Sequence, residues 1–409
     1  MEEVVERSNI EAAIKRVRKN KGGPGIDGMT TDELPEYLAE HWEELRAQLL
    51  DGSYQPQPVR RHAIPKSGGG ERQLGIPTAL DRVIQQAMLQ VLQPRFDPTF
   101  SRHSYGFRPG RRAHDAVRAA QQHIRAGRRW VVDVDLEKFF DRVNHDVLMG
   151  KLARRIEDKR MLGLIRRYLS AGMMADGVST ERYEGTPQGG PLSPLLANVL
   201  LDEVDRELER RGHAFVRYAD DCNVYVRSKR AGERVMACLR RLYGRLRLKV
   251  NEEKSAIARP WERKFLGYSF RLSPSGEVLR CIAPKAIEAM KARVRQMTQR
   301  HGRSISSIVK ELSSYLRGWK NYFALTQVPE GFDGIDGWIR RRLRAIHLKQ
   351  WKNSWTVCRE LLARGVSIHL ARAAAAHHKR CWRMARHNAL QVAFPNRYFD
   401  EIGVPRLAA

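Results

Sequence analysis

Apolar positions recur at helical spacing over residues 1–20, and the Gly-rich interval NKGGPGIDGMT (20–30) stops them. A short helix is expected at about 31–50. The stretch PVRRHAIPKSGGGERQLGIPT (58–78) reads as a strand, a Gly-rich turn and a second strand. Helical periodicity resumes from Ala79 to about Leu92. It returns after the loop that opens 107–127, over 145–170, and after the Pro/Gly loop that opens 186–212. RWVVDVDLEKFFDRV (129–143) begins as a strand and leaves it at Leu136. FVRYADDCNVYV (215–226) reads as a hairpin, and KFLGYSF (264–270) opens another strand pair that turns at SPSG (273–276). Beyond Pro284 the pattern is almost purely helical, over 285–300, 304–323, 335–351 and 354–389. With 409 residues, the chain exceeds the usual size of one core. The change from mixed α/β to helices near 280–285 marks the expected domain boundary.

Charge adds a partner. The chain holds 74 Lys and Arg against 46 Asp and Glu, a net +28, which points to a polyanion. The excess is denser at the end: from Lys285 onward there are 24 basic and 8 acidic residues, against 50 and 38 before it. The five cysteines are scattered without a C-x-x-C pair, so neither a disulfide frame nor a zinc ribbon is indicated and a reducing cytoplasm fits. The charged N-terminal stretch reads as an amphipathic helix, not a signal peptide, and no run of 18 apolar residues suggests a membrane partner.

The adjacent Asp220 and Asp221 lie between two strand-like runs, where like charges repel unless something positive joins them. VVDVDLEKFFD offers further acids. Asp133 and Asp135 share a strand face at two-residue spacing, among apolar Val131, Val132, Val134 and Leu136. Buried acids are costly unless neutralised, and three carboxylates around two hard cations suit nucleotidyl transfer. Each stretch alone also reads as solvated acids or as partners of the many arginines.

These motifs carry a family resemblance. YADD (218–221) resembles the Y-x-D-D box of reverse transcriptases, DVDLEKFFD their first catalytic motif, and TPQGGPLSPLLANVLLDEVD the motif that follows. SYGFRPGRRAHDAV (104–117), LKVNEEKS (248–255) and FLGYSF (265–270) stand in the family's order. LSSYLRGWKNYFAL and DGWIRRRLRAIHLKQWK are similar to the maturase-specific region of group II intron-encoded proteins. The resemblance implies an α+β right-hand polymerase, with fingers and an antiparallel palm sheet, then an α-helical thumb/maturase domain and a basic helical tail. It divides the chain into an N-terminal extension and start of the fingers (1–57), fingers and palm (58–284), thumb/maturase domain (285–355) and DNA/RNA-binding tail (356–409).

It also implies roles. Asp135, Asp220 and Asp221 would hold two Mg²⁺, with Mn²⁺ as a substitute. Asp135 is preferred over Asp133 because the steric-gate aromatic falls at Phe140, five residues on. Phe140 would exclude a 2′-hydroxyl, Lys66 and Arg72 would grip the triphosphate of an incoming dNTP, Gln188 would lie against the nucleotide, and Lys254 would protonate pyrophosphate. FLGYSF would grip the primer end or form core. Ala219 in the box matches group II and related enzymes rather than retroviral ones. No cysteine-paired H-N-H nuclease segment is seen, as in shorter group IIC-like bacterial enzymes.

In the basic helices, Arg341, Arg342, Arg344 and Lys349 ring a helix whose Trp338, Leu343 and Ile346 are expected to face a core. Lys379, Arg380, Arg383 and Arg386 follow with Trp382 and Tyr398 among them. Phosphate contact plus stacking on unpaired bases would suit a structured RNA; an ordinary basic bundle has the same composition. The implied partners are group II intron RNA, an RNA template with a DNA or RNA primer, target DNA and dNTPs, in a bacterial cytoplasm and at the nucleoid when acting on DNA. The rivals are an RNA-binding maturase with a silent polymerase, a domesticated defence or retron-like reverse transcriptase, and an RNA-dependent RNA polymerase. Intact acids, the maturase-like tail and Phe140 argue against them in turn.

Overall fold

The computed structural model describes residues 1–65, 71–175, 178–180, 184–186, 189–299, 302–329 and 331–408, with side chains except at 72, 175 and 178–180. The elements run α1 (Arg7–Lys19), α2 (Leu34–Asp51), β1 (Val59–Pro65), β2 (Glu71–Ile76), α3 (Ala79–Phe96), α4 (Ala113–Arg125), β3 (Trp130–Val134), α5 (His145–Ala153), α6 (Lys159–Ser170), β4 (Met173–Ala175) and β5 (Val178–Thr180). They continue with α7 (Ser193–Arg210), β6 (Ala214–Tyr218), β7 (Asp221–Val226), α8 (Lys229–Arg245), β8 (Ala256–Ala258), β9 (Tyr268–Leu272) and β10 (Val278–Ile282). Helices complete the chain: α9 (Pro284–Gln299), α10 (Ile305–Tyr322), α11 (Phe332–Trp351), α12 (Ser354–Leu362), α13 (Ile368–Ala376), α14 (Cys381–Met384), α15 (Asn388–Ala393) and α16 (Asn396–Glu401).

Many helix starts are written in the sequence. The side chains of Thr78, Asn144, Asp158, Ser228, Ser304 and Asn353 each accept an amide hydrogen bond from the first turn of α3, α5, α6, α8, α10 and α12. Each cap satisfies one of the donors that a helix start leaves open. The expected single helical stretch 354–389 is instead α12, α13, α14 and the start of α15, broken at 363–367 around the left-handed Gly365, at 377–380 and at 385–387.

Contacts divide the chain into two compact units, Met1–Arg263 and Lys264–Ala409. The division precedes the compositional shift near 280–285 because the β9–β10 hairpin packs with the helices that follow it. Tyr268 lies 5.2 Å from Phe323 between ring centroids, and the Gln327 amide donates to the Arg280 carbonyl at 2.8 Å. FLGYSF is largely core: Phe265, Tyr268 and Phe270 are buried, and the Tyr268 hydroxyl donates to the Tyr322 carbonyl.

The first unit holds two four-stranded sheets. One has the order β2-β1-β4-β5 and the other β6-β7-β3-β8, whose pairs are all antiparallel. Helices α4, α7 and α8 pack on the second sheet. Its strands add Val132, Val134, Phe215, Val224 and Val226 to the unit's buried apolar cluster. The second unit buries Met290, Val294, Leu312, Leu316, Ile339, Leu343, Phe394 and Phe399.

Candidate active site

β6 and β7 pair from Ala214↔Tyr225 to Tyr218↔Asp221, so only Ala219 and Asp220 make the turn. Ala219 has φ 58°, the left-handed conformation that tight hairpin turns require and that an alanine enters at a cost. On its other side β7 pairs with β3, ending at Val134↔Cys222. One step further Asp135 comes level with Asp221, and neighbouring residues at such positions have Cα atoms about 4.5–5.5 Å apart. Asp135, Asp220 and Asp221 therefore share one end of one sheet, each half-buried.

The backbone of Asp135 is clamped. Its amide donates to Ser255 Oγ at 3.0 Å, and its carbonyl accepts from the Asn251 amide at 2.9 Å. Lys254 belongs to this clamping turn and is exposed. Arg263 donates to its carbonyl, while Arg240 takes Glu252 at 2.6 Å. Asp133 is different, because Arg263 Nε donates to its carboxylate at 2.7 Å. That ion pair commits the more interior acid of the strand to a protein cation.

Phe140 is 8% exposed, on a 3₁₀ turn (Phe139–Asp141) that follows Asp135. The Thr186 amide donates to its carbonyl at 2.7 Å, and the Gly185 amide to that of Val143 at 2.7 Å. The TPQGG loop is thus anchored onto the Phe140 turn. Gly189 and Gly190 serve the protein's own packing: a Cβ on the first would stand 2.6 Å from the Gly75 carbonyl oxygen, and on the second 2.4 Å from Gln85 Oε1. Lys66 and Gln188 lie outside the described residues; Arg72 is described in backbone only, opposite Ile64 in the β1–β2 ladder.

Among the described residues no three His, Cys, Asp or Glu side chains converge into a metal-ligand cluster. What the backbone fixes is a hard-oxygen donor set at one sheet end, which suits a hard divalent cation by ligand chemistry.

In the second unit the predicted basic residues separate. Arg344 is 8% exposed: its Nε donates to the Phe394 carbonyl at 2.9 Å and its guanidinium lies over the Phe399 ring. Arg344, expected to meet nucleic acid, is thus turned inward here. Arg342 donates to Thr298 Oγ1 at 2.7 Å. Arg341 donates to the Trp382 carbonyl at 2.8 Å and stacks 3.8 Å above its ring. Burial holds all three guanidinium groups below the usual arginine range, aided by Arg386 beside Arg341, Arg295 beside Arg342 and Arg340 beside Arg344. Lys349, Lys379, Arg380, Arg383 and Arg386 are exposed, and so is Trp382 at 43%. Leu343 and Ile346 face the core as expected, while Trp338 is half-buried between Arg295 and Arg342.

Sequence reasoning missed Arg217, Asp205 and Asn198, which lie behind the Asp220 turn. The Arg217 and Asp205 side chains are both 0% exposed and meet at 2.6 Å. Immediately before YADD, the signal was an arginine on a strand whose neighbours Phe215 and Val216 are apolar.

An antiparallel sheet with three carboxylates at one end, in a chain with a helical second unit, defines the class: a polymerase of the right-hand type. Residues 64–270 match the family "Reverse transcriptase (RNA-dependent DNA polymerase)", and residues 287–362 match "Group II intron, maturase-specific domain". The chain is 35% identical over 285 residues to Protein YkfC of Escherichia coli (strain K12), covering 60% of this chain and 75% of that one. It is 30% identical over 335 residues to the group II intron-encoded protein LtrA of Lactococcus lactis subsp. cremoris, covering 66% of this chain and 56% of LtrA. A solved partial Cas6-RT-Cas1–Cas2 complex aligns at 26% identity and a TM-score of 0.38, over 59% of this chain and 42% of that one. The chain belongs to the reverse transcriptases, in the branch of group II intron reverse transcriptase/maturases. Divalent metals are the general cofactors of such domains. No helix among the described residues is long and apolar enough to cross a membrane.

Proposed function

We propose that the protein extends a primer 3′-hydroxyl with dNTPs on an RNA template, and that it binds group II intron RNA to assist splicing and retrohoming into target DNA. The observation that carries the first part is the β3–β7 register, which brings Asp135 level with Asp221 beside the Asp220 turn. These three carboxylates would hold two Mg²⁺, or Mn²⁺ in substitution. When bound, the cations supply activation of the 3′-hydroxyl and charge neutralisation at the leaving pyrophosphate. Phe140 crowds a 2′-hydroxyl from its clamped turn, and Lys66, Arg72 and Gln188 bind the nucleotide. Lys254 delivers a proton from Nζ to pyrophosphate, on a turn tied to Asp135 itself. The RNA-binding part is supported by the maturase-domain match and by exposed Lys349, Lys379, Arg380, Arg383 and Arg386 around Trp382.

The test is primer extension on an RNA template with Mg²⁺ and dNTPs, comparing wild type with Asp220→Asn/Asp221→Asn. Wild type should make cDNA and prefer dNTPs to NTPs. The variant should lose on the order of 10³-fold or more, since cation-borne charge stabilisation amounts to several kcal/mol. No cDNA from either protein, with binding to a group II intron transcript intact, would leave a splicing factor on a silent polymerase fold.

A further inference from the structure

Asp220 stands in the two-residue turn between β6 and β7, and the cation-holding role proposed for it demands aim to within a fraction of an ångström. Something has to fix the peptide that precedes it. The side chain two residues before that peptide does so. Arg217 Nη1 donates to the Ala219 carbonyl at 2.8 Å, and that carbonyl is half of the Ala219–Asp220 peptide. The same Nη1 donates to Asn198 Oδ1 at 3.0 Å. Nε and Nη2 close a bidentate pair on Asp205, with contacts of 2.8 and 2.6 Å.

The network continues to a third segment. Asn198 Nδ2 donates to the Gly106 carbonyl at 3.0 Å. Gly106 is pressed against the turn so closely that a Cβ there would stand 2.2 Å from the Ala219 amide nitrogen. The backbone of Arg217 is held as well: its amide donates to the His103 carbonyl at 2.9 Å, and its carbonyl accepts from the Tyr105 amide at 2.8 Å. Segment 103–106, helix α7 (through Asn198 and Asp205) and strand β6 thus converge on one buried guanidinium. Burial holds the Asp205 carboxyl above its usual range, while attraction to that carboxyl, against the effect of burial, holds the Arg217 guanidinium above its own. A strained Ala219 at φ 58° persists only where its surroundings over-determine it, as they do here.

We infer that Arg217 is a positioning residue: through the Ala219 carbonyl it sets the direction of Asp220, with Asp205 and Asn198 holding the guanidinium plane and Gly106 closing the turn from the other side. This rests on the reading of Asp135, Asp220 and Asp221 as the cation-holding site. Arg217 itself touches neither nucleotide nor cation. The role needs a planar fork of donors, which lysine lacks.

Two variants of the full chain test it. Arg217→Lys keeps a cation for Asp205, but its single nitrogen cannot reach acceptors that now meet three separate nitrogens of the guanidinium. Arg217→Met/Asp205→Leu removes both charges together, an exchange that buried ion pairs often tolerate without loss of stability. Both should stay folded, melting below the wild type because the Ala219 carbonyl or Asn198 Oδ1 loses its donor, keep the KM for dNTP within about twofold and lose about ten- to a hundredfold in kcat, as small misplacements of reacting groups do. Mn²⁺ affinity, measured by calorimetry without nucleotide, should weaken in parallel. A folded double variant with wild-type kcat and Mn²⁺ affinity would show that the network only stabilises the fold, and would overturn the proposal. If the wild type makes no cDNA, the polymerase reading fails by itself, and Mn²⁺ affinity then decides: equal affinity in wild type and variants overturns the positioning role, weakened affinity sustains it.

Discussion

In the first unit Arg217 lies wholly buried against Asp205, while in the second Lys379, Arg380, Arg383 and Arg386 stand exposed around Trp382. Both regions are rich in cations, and they spend them differently. The buried cation organises backbone: its donors go to a carboxylate, an amide and a peptide carbonyl. The exposed ones keep their donors for solvent or a partner. Arg341 stands between the two cases, half-buried and stacked beneath Trp382, so that it fixes an aromatic face that remains open. A net charge of +28 therefore overstates the number of groups free to meet phosphate. Arg344, Arg340, Arg217 and Arg108 all carry positive charge into the interior.

The largest effect that sharpens this contrast is expected from the exposed set. Replacing Lys379, Arg380, Arg383 and Arg386 together by Ala should weaken binding to a fluorescent single-stranded RNA roughly a hundredfold at moderate salt. The slope of log affinity against log salt should fall by about 3, since each phosphate contact contributes about 0.7–0.9. The melting temperature should stay near the wild type, because all four side chains are exposed. An unchanged slope would break the comparison by showing that these cations meet no phosphate.

A smaller effect of opposite kind is expected at Arg344. Arg344→Ala strands the Phe394 carbonyl and empties space over Phe399, which together cost about 2–3 kcal/mol. Chemical denaturation should register that loss. The salt slope of RNA binding, measured where the variant is folded, should not move. A changed slope with unchanged stability would return Arg344 to the nucleic-acid face.

Helical wheels and strand alternation were enough for most elements, because their signals are local. The hairpin over 215–226, the strand ending before Leu136 and the basic helices after Pro284 all follow from periodicity. What was illegible is non-local. Strands β4, β5 and β8 have three residues each, too few to show a period, and form only because a neighbour offers a ladder. The level placement of Asp135 and Asp221 depends on the β3–β7 register, which no single segment encodes. Arg344 and Lys349 are five residues apart on one helix, yet one is buried and the other exposed. Only the packing of α15 and α16 around Phe394 and Phe399 decides which. Arg217 sat in plain view beside the aspartates, but its partners Asn198 and Asp205 lie on a helix nineteen and twelve residues away.

The smallest effect compares the units through their buried histidines. His123 in the first and His347 in the second are each pushed down to about 4, mainly by burial, with His103 and Arg364 respectively adding repulsion. His347 stacks on Phe394 with centroids 4.1 Å apart and 14° between planes. The ordinary histidine value is 6.5. Between about pH 6.5 and 4 the unfolded chain therefore binds a proton that the folded ring refuses. Stability is full above that window, falls as the pH drops through it by at most about 1.4 kcal/mol per pH unit for each ring, and loses nothing further from these groups below it. His347→Phe keeps an aromatic stack and removes the proton, so the melting temperature of the full chain should fall less steeply across the window than in the wild type. If the two acid limbs coincide, His347 is protonated within the fold, and the second unit tolerates buried positive charge at its aromatic core as readily as the first does beneath its Ala219–Asp220 turn.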